Sequence, residues 1–104
     1  MTLDTNPHKQ PRILVVDDEP PIVQIQQQIL ESLGYRVTVR TSSLEAFEAF
    51  RADPGRFDLI LTDMTMPQMT GDRLARTVKA IRPALPVILC TGFSEKLGEH
   101  EKSP

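Results

Sequence analysis

Four short apolar runs, each followed by a stretch with helical periodicity, constrain this chain more than any other feature. The runs are Arg12-Ile13-Leu14-Val15-Val16, Tyr35-Arg36-Val37-Thr38-Val39, Phe57 to Thr62, and Pro86-Val87-Ile88-Leu89-Cys90. The first and fourth are nearly continuous in apolar residues, the pattern of strands buried on both faces. The second alternates and is rich in β-formers, as at a sheet edge. After the first run, Asp17-Asp18-Glu19-Pro20-Pro21 opens a helix with acids near its N-terminus and prolines in its first turn. In that helix Ile22, Ile25, Ile29 and Leu33 recur at steps of three and four until Gly34, a left-handed stop. Ser42 or Ser43 caps a second helix that buries Leu44, Phe47 and Phe50 and stops near Asp53-Pro54-Gly55. A third, from about Thr70 to Ile81, carries Leu74, Val78 and Ile81 on one face and is ended by Pro83; a short helix starts at Ser94. Strands alternating with amphipathic helices build β-α-β units, hence an α/β fold with a parallel sheet covered on both faces.

The length of 104 residues fits one domain with a modest core, read as a flexible leader over 1–11 and a folded unit over 12–104. Twelve basic against fourteen acidic residues, net charge −2, exclude a chain whose work is to coat nucleic acid or anionic lipid. No recognition-helix signal suggests direct nucleic-acid contact. No apolar run approaches the ~20 residues that span a bilayer. The N-terminus lacks the apolar centre of a signal peptide, and the single Cys90 cannot close an internal disulfide, so a reducing cytoplasm is expected. Cys90 itself reads as a small apolar strand residue.

In a parallel sheet the chemistry lies in the crevice beyond the carboxyl ends of the strands. Asp17 and Asp18 follow the first strand, Asp63 ends the third, and Thr91 follows the fourth. With strands one and three as neighbours, three carboxylates meet at one edge. They cannot all stay ionised unless a cation neutralises them. Few hard oxygen ligands open to water suit Mg²⁺, and a strand-end Asp beside such an ion can act as a nucleophile toward phosphorus. Taken singly, each piece has a plainer structural reading. Asp17-Asp18-Glu19 complements a helix dipole, Asp63 starts a turn, and Thr91 ends a strand. Met64, Met66 and Met69 pack under the loop, while His8 and His100 lie in the polar ends as bystanders. The functional reading rests on the pieces recurring together at consistent positions in the topology.

Three segments together, I-L-V-V-D-D-E-P (13–20), D-L-I-L-T-D-M-T-M-P-Q-M-T-G (58–71) and P-V-I-L-C-T-G (86–92), resemble the receiver domain of bacterial two-component response regulators. The resemblance runs from residue 12 to about 97. It implies a flavodoxin-like, doubly wound parallel sheet, here in the order 2-1-3-4, the family order being 2-1-3-4-5. It implies that Asp63 accepts a phosphoryl group from a phosphohistidine of a sensor histidine kinase. Asp17, Asp18, Asp63 and the backbone carbonyl of Thr65 would hold Mg²⁺, and Thr91 would be the switch hydroxyl. Pro67 and Gly71 would shape the loop, and the backbone of Met64 and Gly92 would contact phosphate. The family continues with a fifth strand, a Lys-Pro pair and a last helix, whereas this sequence closes on E-K-L-G-E-H-E-K-S-P. No residue here matches the family's lysine. The resulting expectation is an exposed 86–90 strand edge that favours homo-oligomers, and an alternative reading as a binding or dimerisation module with weak or no phosphorylation. A metal-dependent hydrolase is disfavoured, because Thr65 stands where a second catalytic acid would be needed.

Overall fold

The computed structural model describes residues 10–90 of the chain. Within them, β1 (Arg12–Val16), α1 (Pro20–Ser32), β2 (Arg36–Arg40), α2 (Ser43–Ala52), β3 (Leu59–Asp63), α3 (Gly71–Ile81) and β4 (Val87–Cys90) follow in strict alternation. The strands form one parallel sheet in the order β2-β1-β3-β4. The leader reading falls almost wholly on residues 1–9, outside the described residues, as do the Ser94 helix, Thr91 and Gly92.

Local chemistry accounts for the element ends. The carbonyl of Glu19 accepts from the N–H groups of Ile22 and Val23 at 3.0 and 3.1 Å, with prolines filling the first two helical positions that need no donor. At the other end Gly34 adopts φ +99°. Its N–H reaches the Glu31 carbonyl at 3.0 Å and that of Tyr35 reaches Leu30 at 3.1 Å, the paired bonds of a Schellman cap. Ser42, not Ser43, caps α2, its Oγ accepting from Leu44 and Glu45 N–H.

Strand alternation assigns the two faces. Leu14 and Val16 of β1 and Ile60 of β3 join Ala46 and Phe50 of α2, Leu74 and Val78 of α3, and Phe57, Met66 and Leu85 in one core. Ile13 and Val15 are as deeply buried on the opposite face, where α1 lies against β1 and β2 and buries Val23. β1, with a neighbour on each side and helices on each face, is the most enclosed strand.

Several apolar positions depart from the sequence reading. Leu44 is 46% exposed and Ala46 takes the buried place, because Ala46 and Phe50 are four apart and Leu44 is off that stripe. Ile81, the last residue of α3, is exposed. Ile25, Ile29 and Leu33 form the regular face of α1, yet Ile29 is 54% exposed; the buried residue of the helix is Val23. β4 is not a strand buried on both faces: Ile88 and Leu89 are both exposed. Among the described residues it pairs with β3 alone, and no described element covers the side of Ile88.

Two arginines tie the amino ends of the strands to the α2–β3 loop. Asp58 accepts from the Arg12 backbone N–H at 2.8 Å and from its Nε at 3.3 Å. Arg82 donates to the carbonyls of Pro54 and Phe57. The bonds from Arg12 hold the Asp58 carboxyl below the usual range. A folded pKa below the unfolded one adds stability above the unfolded value and loses it as pH falls through the folded one. The pair is partly exposed, so Asp58→Ala is expected to cost about 1 kcal/mol at neutral pH. Urea titrations at pH 7 and pH 3 check this: the difference between variant and wild type shrinks at the lower pH.

Candidate functional site

The register between β1 and β3 builds the site. Val16 lies opposite Thr62, so Asp17 and Asp63, the next residue on each strand, emerge side by side at the carboxyl edge. Asp18 follows before α1 begins. Carboxylate oxygens of Asp17, Asp18 and Asp63 lie within 4.8 Å of one another. Asp17 and Asp63 are buried and Asp18 is the more open of the three. Asp17 is held by its neighbours: its N–H donates to the Arg40 carbonyl at 3.2 Å, and its Oδ1 accepts from the Glu19 N–H at 2.9 Å.

Burial pushes the Asp17 carboxyl above its ordinary range; the Glu19 N–H opposes this, and the negative charges of Asp18 and Glu19 add to the rise. Opposite Asp63 in the β3–β4 ladder stands Cys90. Its thiol is also pushed up, first by burial and then by the carboxylates of Asp63 and Asp17. Cys90 is therefore more than strand filling, since it borders the acid cluster. Its place beside the acids follows from the β3–β4 register, which no local pattern in the sequence carries.

The Met-rich loop closes over this edge. The Gly71 N–H donates to the Met64 carbonyl at 2.7 Å, bringing the two ends of the 64–71 segment together. A Cβ on Gly71 would stand within 3.0 Å of the Asp63 carbonyl and of Met64 Cα, so only glycine lets α3 start this close to the strand end. Gln68 turns the chain at φ +75°, and Met69 N–H donates to the Pro67 carbonyl at 2.8 Å. Met66 is buried in the main core and Met69 packs against it, as the packing reading expects, whereas Met64 is exposed. The Met64 N–H donates to the Cys90 carbonyl at 2.7 Å, so a phosphate contact there would require that ladder bond to be exchanged. Thr65 and Pro67 sit on the exposed rim of the loop.

The donor set has the character of a hard-cation site: three carboxylates within 4.8 Å of one another, two of them buried. Asp17, Asp18 and Asp63 could hold a divalent ion such as Mg²⁺, whose charge would offset theirs and help neutralise a phosphate brought to the same edge.

Two substitutions test the construction. Gly71→Ala is expected to destabilise the fold by about 3 kcal/mol in urea unfolding, because the clash is with backbone that cannot step aside. Asp17→Asn keeps an acceptor for Glu19 N–H but removes a charge the fold disfavours. Without divalent ions it is expected to gain on the order of 1 kcal/mol, roughly 4–8 °C in thermal midpoint at pH 7. A raised carboxyl pKa loses stability as pH rises through it, so the gain disappears in acid. Mg²⁺ should raise the midpoint of the wild type more than that of the variant.

Comparison with known proteins agrees with this geometry. Residues 13–101 match the family model of the response regulator receiver domain. The chain is 39% identical over 82 residues to the transcriptional regulatory protein ZraR of Escherichia coli K12, covering 79% of this chain and 18% of that protein. It is 37% identical over 83 residues to the response regulator receiver protein CpdR of Brucella abortus, covering 80% of this chain and 68% of the relative. The chain thus spans less than a fifth of the length of ZraR. Among solved structures, a response regulator receiver domain protein from Clostridium thermocellum superposes with TM-score 0.77 at 34% identity, over 89% of this chain and 77% of the other. A structure of the histidine kinase ThkA in complex with the response regulator protein TrrA contains a chain with TM-score 0.73 and 32% identity, over 91% and 76% of the two chains. A parallel sheet in the order β2-β1-β3-β4, an acid cluster at its carboxyl edge and these matches lead to one assignment: the chain belongs to the response regulator receiver domain family.

Proposed function

We propose that this receiver domain accepts a phosphoryl group on Asp63 from the phosphohistidine of a sensor histidine kinase, with Mg²⁺ as its cofactor, and signals through protein contacts. The observation that carries the reading is the convergence of Asp17, Asp18 and Asp63 within 4.8 Å at the end of β3. A carboxylate oxygen of Asp63 attacks phosphorus in line with the phosphohistidine nitrogen. The P–N bond breaks as the new P–O bond forms, and the departing imidazole takes up a proton. A bound divalent ion supplies positive charge for the phosphoryl oxygens. Asp17 and Asp18 would hold that ion together with Asp63, and the carbonyl of Thr65 would be the further ligand. The Thr91 hydroxyl and the Gly92 backbone, beyond the described residues, are the donors expected to meet the phosphoryl group.

The loop serves this chemistry by geometry. The Gly71–Met64 bond fixes the loop ends at the strand terminus, and buried Met66 anchors its middle, so Asp63 is presented from a rigid edge. The kinase partner is supported by the solved complex of ThkA with TrrA, whose fold this chain resembles.

Acetyl phosphate with Mg²⁺, followed by intact mass measurement of the purified chain, tests the proposal. One phosphoryl increment on the wild type and none on Asp63→Asn is the expected result; chelation should abolish it. No increment on a wild type whose fold is intact would overturn it. The chain would then be better described as a binding or dimerisation module. The physical basis for that second reading is its exposed apolar surface, Ile25, Ile29 and Leu33 on α1 and Ile88 and Leu89 at the outer strand.

A further inference from the structure

The amino ends of the strands, opposite the acid cluster, carry the inverse charge. β1 and β2 run in a register that sets Arg12 directly across from Arg36. Alternation puts both on the face of Leu14 and Thr38. Arg56, from the α2–β3 loop, reaches the same place. Its Nη2 donates to Thr38 Oγ1 at 3.4 Å, and its guanidinium lies 5.0 Å from the centre of the Phe57 ring. The three arginines, Thr38 and the half-buried ring of Tyr35 line a cleft of about 530 Å³.

The charges of this cleft are unequally compensated. Arg12 is paired with Asp58 at 3.3 Å. Among the described residues, Arg36 and Arg56 have no carboxylate within 4.0 Å. Among the described residues, Glu31 is the carboxylate that lines the cleft, and it accepts instead from Gln27 Nε2 at 3.2 Å. Like charges directly across neighbouring strands destabilise a sheet; Asp58 offsets this at Arg12, while Arg36 opposite has no such carboxylate among the described residues. In a chain whose net charge is −2, this local excess is a property of placement and not of composition. Guanidinium forks match phosphate oxygens two at a time, and an adjacent hydroxyl adds a neutral donor.

We propose that this cleft binds a diphosphate group, either free or as the phosphates of a nucleotide. Arg36 and Arg56 clamp the phosphate oxygens, the Thr38 hydroxyl completes the donor set, and Tyr35 offers a flat surface to a base. The site lies at the end of the sheet away from Asp63 and does not depend on phosphorylation there.

Calorimetric titration of the wild-type chain with pyrophosphate, ADP and citrate tests this. EDTA is present, so that no divalent ion recruits phosphate to the acid cluster. Saturable binding of pyrophosphate or ADP is expected, weakened roughly tenfold or more in Arg36→Gln and in Arg56→Gln, since a hydrogen bond to a charged group contributes at least that factor. Both residues are exposed, and unliganded Arg36→Gln is expected to melt at or above the wild-type midpoint, because it relieves repulsion with Arg12. ADP binding more tightly than pyrophosphate, with Tyr35→Ala reducing only the ADP affinity, identifies the nucleotide form; equal binding of the two identifies free diphosphate. Absence of saturation, equal affinity for citrate, or affinity unchanged in both arginine variants overturns the proposal.

Discussion

The pairing of β1 with β3 is the constraint on which the rest of the molecule depends. These strands are consecutive in space but not in sequence, so the chain after β1 leaves over one face and the chain after β2 returns over the other. The crossing opens a crevice at the carboxyl edge between them, the place where doubly wound sheets bind their ligands. A shift of one residue in this register would move Asp63 away from Asp17 and reverse the faces of Ile60 and Thr62. The buried rows Leu14–Ile60 and Val16–Thr62 make that shift prohibitive, so hydrophobic packing holds the carboxylates together against their own repulsion.

The repulsion is stored where it is useful. Burial keeps the Asp17 carboxyl above its ordinary range, and a cation held at this edge would recover stability that the fold gives up there. At the other end of the same sheet lie Arg36 and, from the adjoining loop, Arg56, neither with a carboxylate partner among the described residues. Parallel strands make both clusters possible, because all amino ends gather at one edge and all carboxyl ends at the other. An antiparallel sheet would intersperse them.

The covering of the sheet is uneven. One face has a continuous core of α2, α3 and the inner strands, to which the 64–71 loop contributes Met66. The other face is covered by α1 over β1 and β2, while Ile88 at β4 and the Ile25–Ile29 stripe of α1 face outward among the described residues. Covering apolar surface of this kind is favourable, so it is where contact with another surface would gain most.

Much of this was legible in the residues themselves. Alternating apolar runs and helical periods identified the elements, and the acids at the strand ends pointed to the edge where Asp17, Asp18 and Asp63 converge, because strand ends and turn chemistry are local properties. Local pattern also identified Gly34 as a left-handed stop and Ser42 as one of two caps. What it could not decide was which apolar side chains meet a neighbour. Leu44, Ile25, Ile29 and Ile88 have the right residue type and period, but burial is a relation between elements, and only the tertiary arrangement says where the neighbours end. The same holds for Cys90 beside the acids and for Arg12, Arg36 and Arg56 around one cleft: residues far apart in sequence share a site only through strand register. Local residue pattern set the elements and the chemistry available at their ends; the register and order of the strands set which of those ends meet.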